Sequence, residues 1–566
     1  MQLGIKGLKS GSIVVKSAKR KRWRQWQLGS QVQGVTDVRH GAVCIIISLY
    51  LYHHLIMVAV LSMFLLLLST LLVAIYIYVK VQQRKKKTED CVVERLKSPP
   101  GPRAWPIIGN LHLLGQFETP FHAFTALAEK FGPIYQMQLG SSTCIIVNNY
   151  ALIKEVLITK GAHFGGRPDF IRFHHLFGGD RNNSLALCDW SDLQKTRRRI
   201  ARLYCSPRTV SAHFAALDGV AGSECGHLLS ALAIHEGKPF LVKPLIMAAC
   251  ANMFTTYMCS TRFDYEDAIF RKVVQNFDEI FWDINQGYAV DFMPWLAFAY
   301  QKHMKKLNRW AVDIRQFIMT NIIEKHRQNL QNGAEGKDFT DALLLHLENE
   351  PDLTWEHALF ELEDFIGGHS AVGNSVMLTL AAIVKNPEVA RKIQAEVDSV
   401  TAGTRAVSLF DRAVMPYTEA TVLEVLRVTS SPIVPHVATQ ESSIGGYAVE
   451  NGTMIFLNNF ELNTGKAYWE EPEKFKPERF VTNGTVTKPA HFIPFSTGKR
   501  TCIGSRLVTA CNFAVVSSIL QNYDVTAGEG NIELPKACVA LPPDTFSLVF
   551  TPRKHNTPSD SSTRAL

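Results

Sequence analysis

A chain of 566 residues, 46% apolar and 20% charged, is neither a disordered polyelectrolyte nor a small disulfide-stapled scaffold. Its formal charge of +9 is concentrated: residues 1–56 hold nine of the 60 Lys/Arg and, in Asp37, one of the 51 acids, leaving 51 bases against 50 acids in the rest. A nearly neutral body removes the main support for nucleic-acid binding, and eleven cysteines without a Cys-x-x-Cys pair point to reduced thiols and a cytosol-facing domain.

The chain opens on a basic and apolar extension, residues 1–54. Leu55–Val79 follows, 25 residues without a charge, which is long enough to span a bilayer. Arg84-Lys-Lys-Lys87 comes directly after it, and basic residues beside a span favour the cytoplasmic side. This predicts a transmembrane anchor over 55–79 with the bulk of the chain in the cytosol. The upstream flank conflicts. Gly41–Tyr52 is apolar too, and Lys19-Arg-Lys-Arg22 with Arg24 would prefer the same side. A mitochondrial targeting peptide fits the acid-poor first 40 residues but not the very hydrophobic span behind them. Translation starting at Met57 resolves the conflict, and that is the expectation adopted, with residues 1–54 outside the native start. Residues 80–110 read as a basic, proline-rich hinge, carrying Ser98-Pro-Pro-Gly-Pro102.

Residues 111–552 form the expected catalytic domain. Ile134–Leu139 and Thr143–Val147 read as strands. Residues 355–400 read as two helices broken at Asn386-Pro387. Gln328–Lys337 is polar and glycine-containing, hence a surface loop, and 432–460 reads as strands and turns. Residues 553–566 are a polar tail, expected to be disordered. The result is an α+β, mostly helical fold.

The most informative segment is Phe495-Ser-Thr-Gly498-Lys-Arg500-Thr-Cys502-Ile-Gly504. A thiolate ligand to a large flat cofactor needs deprotonation and shielding from water. Gly498 and Gly504 allow close backbone approach or positive φ. Arg500 puts a fixed positive charge near the sulfur, within reach of a cofactor carboxylate. Phe495 covers the sulfur side. The apolar helical run Leu507–Leu520 directs N-terminal N–H groups at the thiolate. The pattern Phe-x-x-Gly-x-Arg-x-Cys-x-Gly resembles the haem loop of the cytochrome P450 family. The resemblance implies the P450 fold, haem b (iron protoporphyrin IX) with Cys502 as the axial ligand of the iron, and monooxygenase activity. It also implies electrons from NADPH through NADPH-cytochrome P450 reductase.

Further residues carry the same resemblance. Glu424-Val-Leu-Arg427, with Arg479 in Pro472-x-x-Phe475-x-Pro477-x-Arg479-Phe480, matches the family's buried charge triad, a structural element. In Asp189–Arg199, Gln194 stands where the family usually has Trp, and Arg198 where it has a propionate-binding Arg. His436 is a second propionate candidate. Arg197, Arg199, Lys195 and Lys499 read as solvated bases or as a docking face for an acidic reductase.

One departure matters. Where the family carries an acid and an alcohol that relay protons during dioxygen activation, this chain has Gly367-Gly368-His369-Ser370-Ala371-Val372. Gly368, His369, Ser370 and Ala371 are the expected oxygen-site residues, with the glycines opening space and Ser370 or His369 ordering a water chain. Two other readings stay open: a P450-type isomerase or dehydratase of a peroxide, which needs no reductant, and a non-catalytic haem-binding sensor. Residues 367–374, with Pro432–Thr439 and Asn458–Asn463, resemble the Spook/Spookier branch of the insect Halloween P450s of ecdysteroid biosynthesis. That likeness implies a sterol substrate of the 7-dehydrosterol type, an early step of moulting-hormone synthesis and the endoplasmic reticulum membrane, with membrane lipid and reductase as partners. Ile433, Val434, Val437 and Leu541–Pro543, the expected pocket wall, are apolar and suit fatty acids or xenobiotics equally.

Overall fold

The computed structural model describes residues 53, 56–71, 73, 76, 96–331, 336–529, 532, 533 and 535–554. The extension 1–52, the Arg84–Lys87 run and residues 555–566 lie outside them, as does the question of the start site. The chain divides into two units, one N-terminal to Leu96 and one from Leu96 onward. In the first, Ile56–Leu71 is an apolar helix, and Val73 and Tyr76 are also helical. Its leucines, such as Leu66 and Leu67, are exposed.

The second unit is built around the helix Trp355–Lys385. Thr354 caps its N-terminus reciprocally with His357, and Asn386-Pro387 ends it, because Pro cannot donate to the preceding turn. This helix is long and apolar enough to cross a membrane, but 83% of its most apolar window is buried by protein. It packs against the helices Lys243–Cys259 and Ser505–Asn522 and is the axis of the largest hydrophobic core. A helix apolar on nearly every face has to be enclosed in this way.

The sheet lies to one side. Its strand order is Ile134–Leu139, Ser142–Val147, Met454–Leu457, His436–Val437. The first and last pairs are antiparallel and the middle pair is parallel. Register opposes Cys144 to Met454 and Ile455 to His436, which fixes His436 at the sheet edge. The two early strands thus form as expected, one residue longer at Ser142.

Two expectations need correction. Gln328–Lys337 is not a loop from its start, since the helix Glu324–Gln331 runs through its first four residues. Arg553 does not belong to a free tail. It pairs with Asp398 at 2.6 Å and donates to the carbonyls of Leu520 and Gln521.

Candidate active site

The cysteine loop places one thiol unlike the others. Of the nine described cysteines, only Cys502 is exposed. Its N–H donates to the Phe495 carbonyl at 2.9 Å, closing the loop on itself. The helix Ser505–Asn522 starts immediately afterwards with no side-chain cap. Although the residue reaches the surface, the protein crowded around its sulfur desolvates the thiolate and pushes the thiol pKa up, while the N–H groups of Gly504 and Ser505 and the charge of Arg198 pull it down. The helix N-terminus therefore tempers the sulfur as expected. The cation that acts on it is Arg198, which donates to the Thr501 carbonyl at 2.5 Å, and not Arg500.

The two loop glycines differ. Gly498 has φ +74°, and a Cβ there would strike the Leu157 carbonyl oxygen at 2.1 Å. It is needed for packing on neighbouring backbone. Gly504 has φ −86°, and a Cβ there would meet no protein atom within 4 Å. Protein alone sets no demand for glycine at that point; a large group lying against the loop would. Phe495 is half-buried against the cluster that contains Trp469 and Phe480.

Arg500 is buried and turned toward the segment before the arginine-rich helix Asp192–Cys205, donating through Nη2 to the carbonyls of Ala186 and Cys188. Its Nη1 has no partner. Burial lowers its pKa to about 10. Beside it lie His436 and Arg167. His436 donates through Nδ1 to the Phe164 carbonyl at 2.7 Å, and its Nε2 is unpartnered. Burial, then the Arg167 charge, hold its pKa well below the ordinary value. Arg167 is buried and reaches the carbonyls of Ala186, Val434 and Pro435. Burial and the charges of Arg500 and Arg198 depress it strongly.

Sequence reasoning missed Arg167. Its signal is faint: an arginine after Gly165-Gly166 and before Pro168, in a chain position with no helical or strand period. Three guanidinium groups and an imidazole thus share a buried corner, and Asp189, the acid near Arg167 and Arg500, is already paired with Arg181 at 3.0 Å. Such a cluster is incomplete without an anion. Two carboxylates of a flat macrocycle supply it, and an exposed thiol and a glycine with open space lie alongside. The residues present fit a haem.

Gln194 is buried, gives Nε2 to the Leu185 carbonyl and leaves Oε1 unpartnered. It holds the loop behind Arg500. Arg197 corrects its expectation. It is 1% exposed and pairs with Glu361 of the central helix at 3.0 Å, so it is neither a solvated base nor part of a docking face. Arg199, Lys195 and Lys499 remain on the surface.

On the central helix, Asp364, Gly367, Gly368 and Ala371 form one incompletely covered face at helical spacing in an otherwise buried run. The glycines do not simply open space. A Cβ on Gly367 would sit 3.0 Å from the Phe277 ring, and one on Gly368 3.1 Å from Phe254. They let aromatic rings pack against the helix. Asp364 is held by Ser184 Oγ and the Leu185 N–H, with burial lifting its pKa to about 6. His369 gives Nδ1 to the Ile366 carbonyl at 2.6 Å, leaving Nε2 as an unpartnered acceptor, and burial lowers its pKa to about 4. At neutral pH the ring is therefore uncharged, and Nε2 is an acceptor without a partner among the described residues. Ser370 Oγ is fully buried and also unpartnered. The two orphaned atoms stand on consecutive residues of the helix, about 100° apart around its axis, so each is a separate unmet polar demand.

Glu424, Arg427 and Arg479 form the expected triad. Arg427 clamps Glu424 at 2.7 and 2.8 Å, and Arg479 reaches the same carboxylate at 3.2 Å. The remaining donors go to the carbonyls of Asn463, Glu470, Glu471 and Lys474.

Comparison with known proteins agrees with this geometry. Residues 99–550 match the family model for cytochrome P450. The chain is 47% identical to cytochrome P450 307a1 of Drosophila melanogaster over 489 residues, covering 81% of this chain and 90% of that relative. It is 30% identical to farnesoate epoxidase of Bombyx mori over 474 residues, 81% of this chain and 94% of the relative. It is 29% identical to steroid 17-alpha-hydroxylase/17,20 lyase of Ictalurus punctatus over 471 residues, 80% and 90% of the two chains.

Proposed function

The chain belongs to the cytochrome P450 family, haem-dependent monooxygenases that take electrons from NADPH through a redox partner, and we propose that its substrate is a sterol of the 7-dehydrosterol type, oxidised early in ecdysteroid synthesis. The observation that carries the reading is the 47% identity over nine-tenths of cytochrome P450 307a1, joined to the unusual Gly367–Asn374 stretch. A steroid hydroxylase among the relatives supports a flat polycyclic substrate, and the farnesoate epoxidase keeps a linear isoprenoid as the competitor.

In this reading Cys502 would hold the haem iron through its sulfur, and the bound group would supply the chemistry that activates dioxygen. Arg167, Arg500 and His436 hold its carboxylates, with Arg198 turned toward the sulfur. The His436 ring donates through Nε2 only as imidazolium, so a carboxylate against it raises its pKa and makes that contact self-consistent. Ser370 Oγ and His369 Nε2 order water beside the uncovered face of the central helix, with Ser370 donating to and accepting from the same chain of waters. That replaces the acid and alcohol that the family carries there. Ile433 and Leu541, both buried, wall the pocket with apolar surface. The exposed apolar helix Ile56–Leu71 anchors the enzyme in the endoplasmic reticulum membrane, with the catalytic unit on the cytosolic side where the reductase reaches Lys195, Arg199 and Lys499.

The test is turnover of 7-dehydrocholesterol and its early oxidised derivatives with reductase, NADPH and isotopically heavy dioxygen. Heavy oxygen in the product supports the reading and locates the oxidised carbon. Product without heavy oxygen that still needs NADPH indicates desaturation. The altered oxygen-site pair favours a second reading, rearrangement of a peroxide. Conversion of a sterol peroxide without NADPH, and no turnover with it, would establish that reading in place of the first.

A further inference from the structure

A second buried ionic cluster lies outside the haem site. Lys243 occupies the first turn of the helix Lys243–Cys259 and is 2% exposed. A cation at a helix N-terminus faces the positive end of the dipole, and a buried lysine loses its hydration. Both are unfavourable, so its compensation has to be complete. Lys243 Nζ lies 2.6 Å from Asp278 Oδ2, 2.9 Å from the Leu541 carbonyl and 3.2 Å from the Pro542 carbonyl. Those three acceptors use all three ammonium hydrogens.

Asn374 completes the cluster from the central helix. Its Nδ2 donates to Asp278 Oδ1 at 2.9 Å and to the Ser370 carbonyl at 2.8 Å, while its Oδ1 accepts from the Leu541 N–H at 2.9 Å. Asp278 lies on the helix Ala268–Ile284, next to the Phe277 ring that packs on Gly367. One network therefore ties three helices to both polar groups of a single residue, Leu541, in a segment without regular secondary structure. The same segment is fastened at its other side by Cys538, whose N–H donates to the Thr429 carbonyl just ahead of Ile433.

We infer that Lys243, Asp278 and Asn374 are positioning residues that lock the segment Cys538–Pro543 as a rigid wall of the substrate pocket, setting the size of ligand the pocket admits. An irregular segment held only by apolar contact would shift to fit its occupant. One whose backbone N–H and carbonyl are both fixed by a buried ionic network does not, because releasing it takes from buried Lys243 two of its three acceptors and leaves Asn374 Oδ1 without its donor. The network also holds the Ser370 carbonyl, so the wall and the oxygen-site helix keep one spacing. This rests on the P450 reading of the site but not on the identity of the substrate.

The experiment uses the haem-loaded, full-length protein and two optical probes that ligate haem iron whatever the natural substrate, imidazole and the bulkier phenylimidazole. The ratio of their Kd values reports the size limit. Asn374→Leu and Lys243→Met are expected to change that ratio about tenfold. Lys243→Arg, which keeps charge and donors, is expected to stay within about twofold. The thiolate-type carbon monoxide difference band selects variants whose fold and haem are intact. A ratio unchanged in either loaded variant overturns the proposal. Hydrogen exchange of the peptide covering residues 538–546 in the unsubstituted holoprotein decides the matter if neither variant loads haem. Protection like that of the central helix supports the lock, and exchange as fast as at exposed Lys554 refutes it. A failed sterol turnover alongside a shifted azole ratio would sink the substrate reading and leave this one standing.

Discussion

Two buried charge clusters in this protein have opposite balance. Glu424, Arg427 and Arg479 are closed: the carboxylate takes both arginines, and their other donors end on backbone carbonyls. Arg167, Arg198, Arg500 and His436 are open: one ring and one guanidinium nitrogen lack a partner among the described residues, and burial, reinforced by like charge among Arg167, Arg500 and His436, depresses their pKa values. The first cluster is finished by folding. The second is finished by something anionic that folding does not provide. Burial alone does not distinguish a structural charge from a binding charge; the completeness of its partners does.

This contrast can be broken from several directions. The largest effect belongs to Cys502→Ser, which should abolish the thiolate-type carbon monoxide band and all monooxygenase turnover while circular dichroism stays nearly unchanged. Retained turnover would remove the sulfur from the mechanism. Next is Arg427→Met in the closed cluster. It takes the two-pronged clamp from Glu424 at zero exposure, leaving only Arg479 and the Lys476 N–H on that carboxylate, and should cost about 3–5 kcal/mol, read by denaturant unfolding. The open cluster should respond with the opposite sign. Arg500→Met in haem-free protein should raise stability by about 1–2 kcal/mol, because a half-partnered guanidinium is removed from the interior. The same variant should release haem faster. If it destabilises the haem-free protein as Arg427→Met does, the distinction between the clusters is wrong.

His436 gives the pH form of the same test. Its folded pKa lies well below the ordinary 6.5, so the unfolded chain binds its proton first. Its contribution to stability is therefore complete above pH 6.5 and is lost as pH falls below that value. Haem-free His436→Gln should lose less stability between neutral pH and mild acid than the unsubstituted protein. In loaded protein that difference should shrink, since a facing carboxylate restores the imidazolium. The smallest effect is expected for Ser370→Ala, a few-fold rise in peroxide released per NADPH consumed. Unchanged coupling would take Ser370 out of proton delivery.

The sequence by itself determined a good deal. The cysteine loop, the two early strands, the break at Asn386-Pro387 and the triad are local or carry fixed spacing, and each appears where expected. Spacing works there because backbone chemistry is decided within a few residues: proline ends a helix, and Glu424 and Arg427 share a helical face. What only the tertiary structure decided was partnership between distant segments. Arg197 looked like its neighbour Arg199, yet the fold buries it on Glu361, 164 positions away. Arg167 carries no periodic signal and gains its place from carbonyls at Val434 and Pro435. Gly504 and Gly498 read alike in sequence, yet the φ and packing of Gly498 alone demand glycine from the protein side. Lys243, Asp278 and Asn374 are unremarkable where they stand in the chain and meet only because three helices cross. Whether a polar side chain ends in water, on a partner or unpaired depends on those crossings, and local sequence does not encode them.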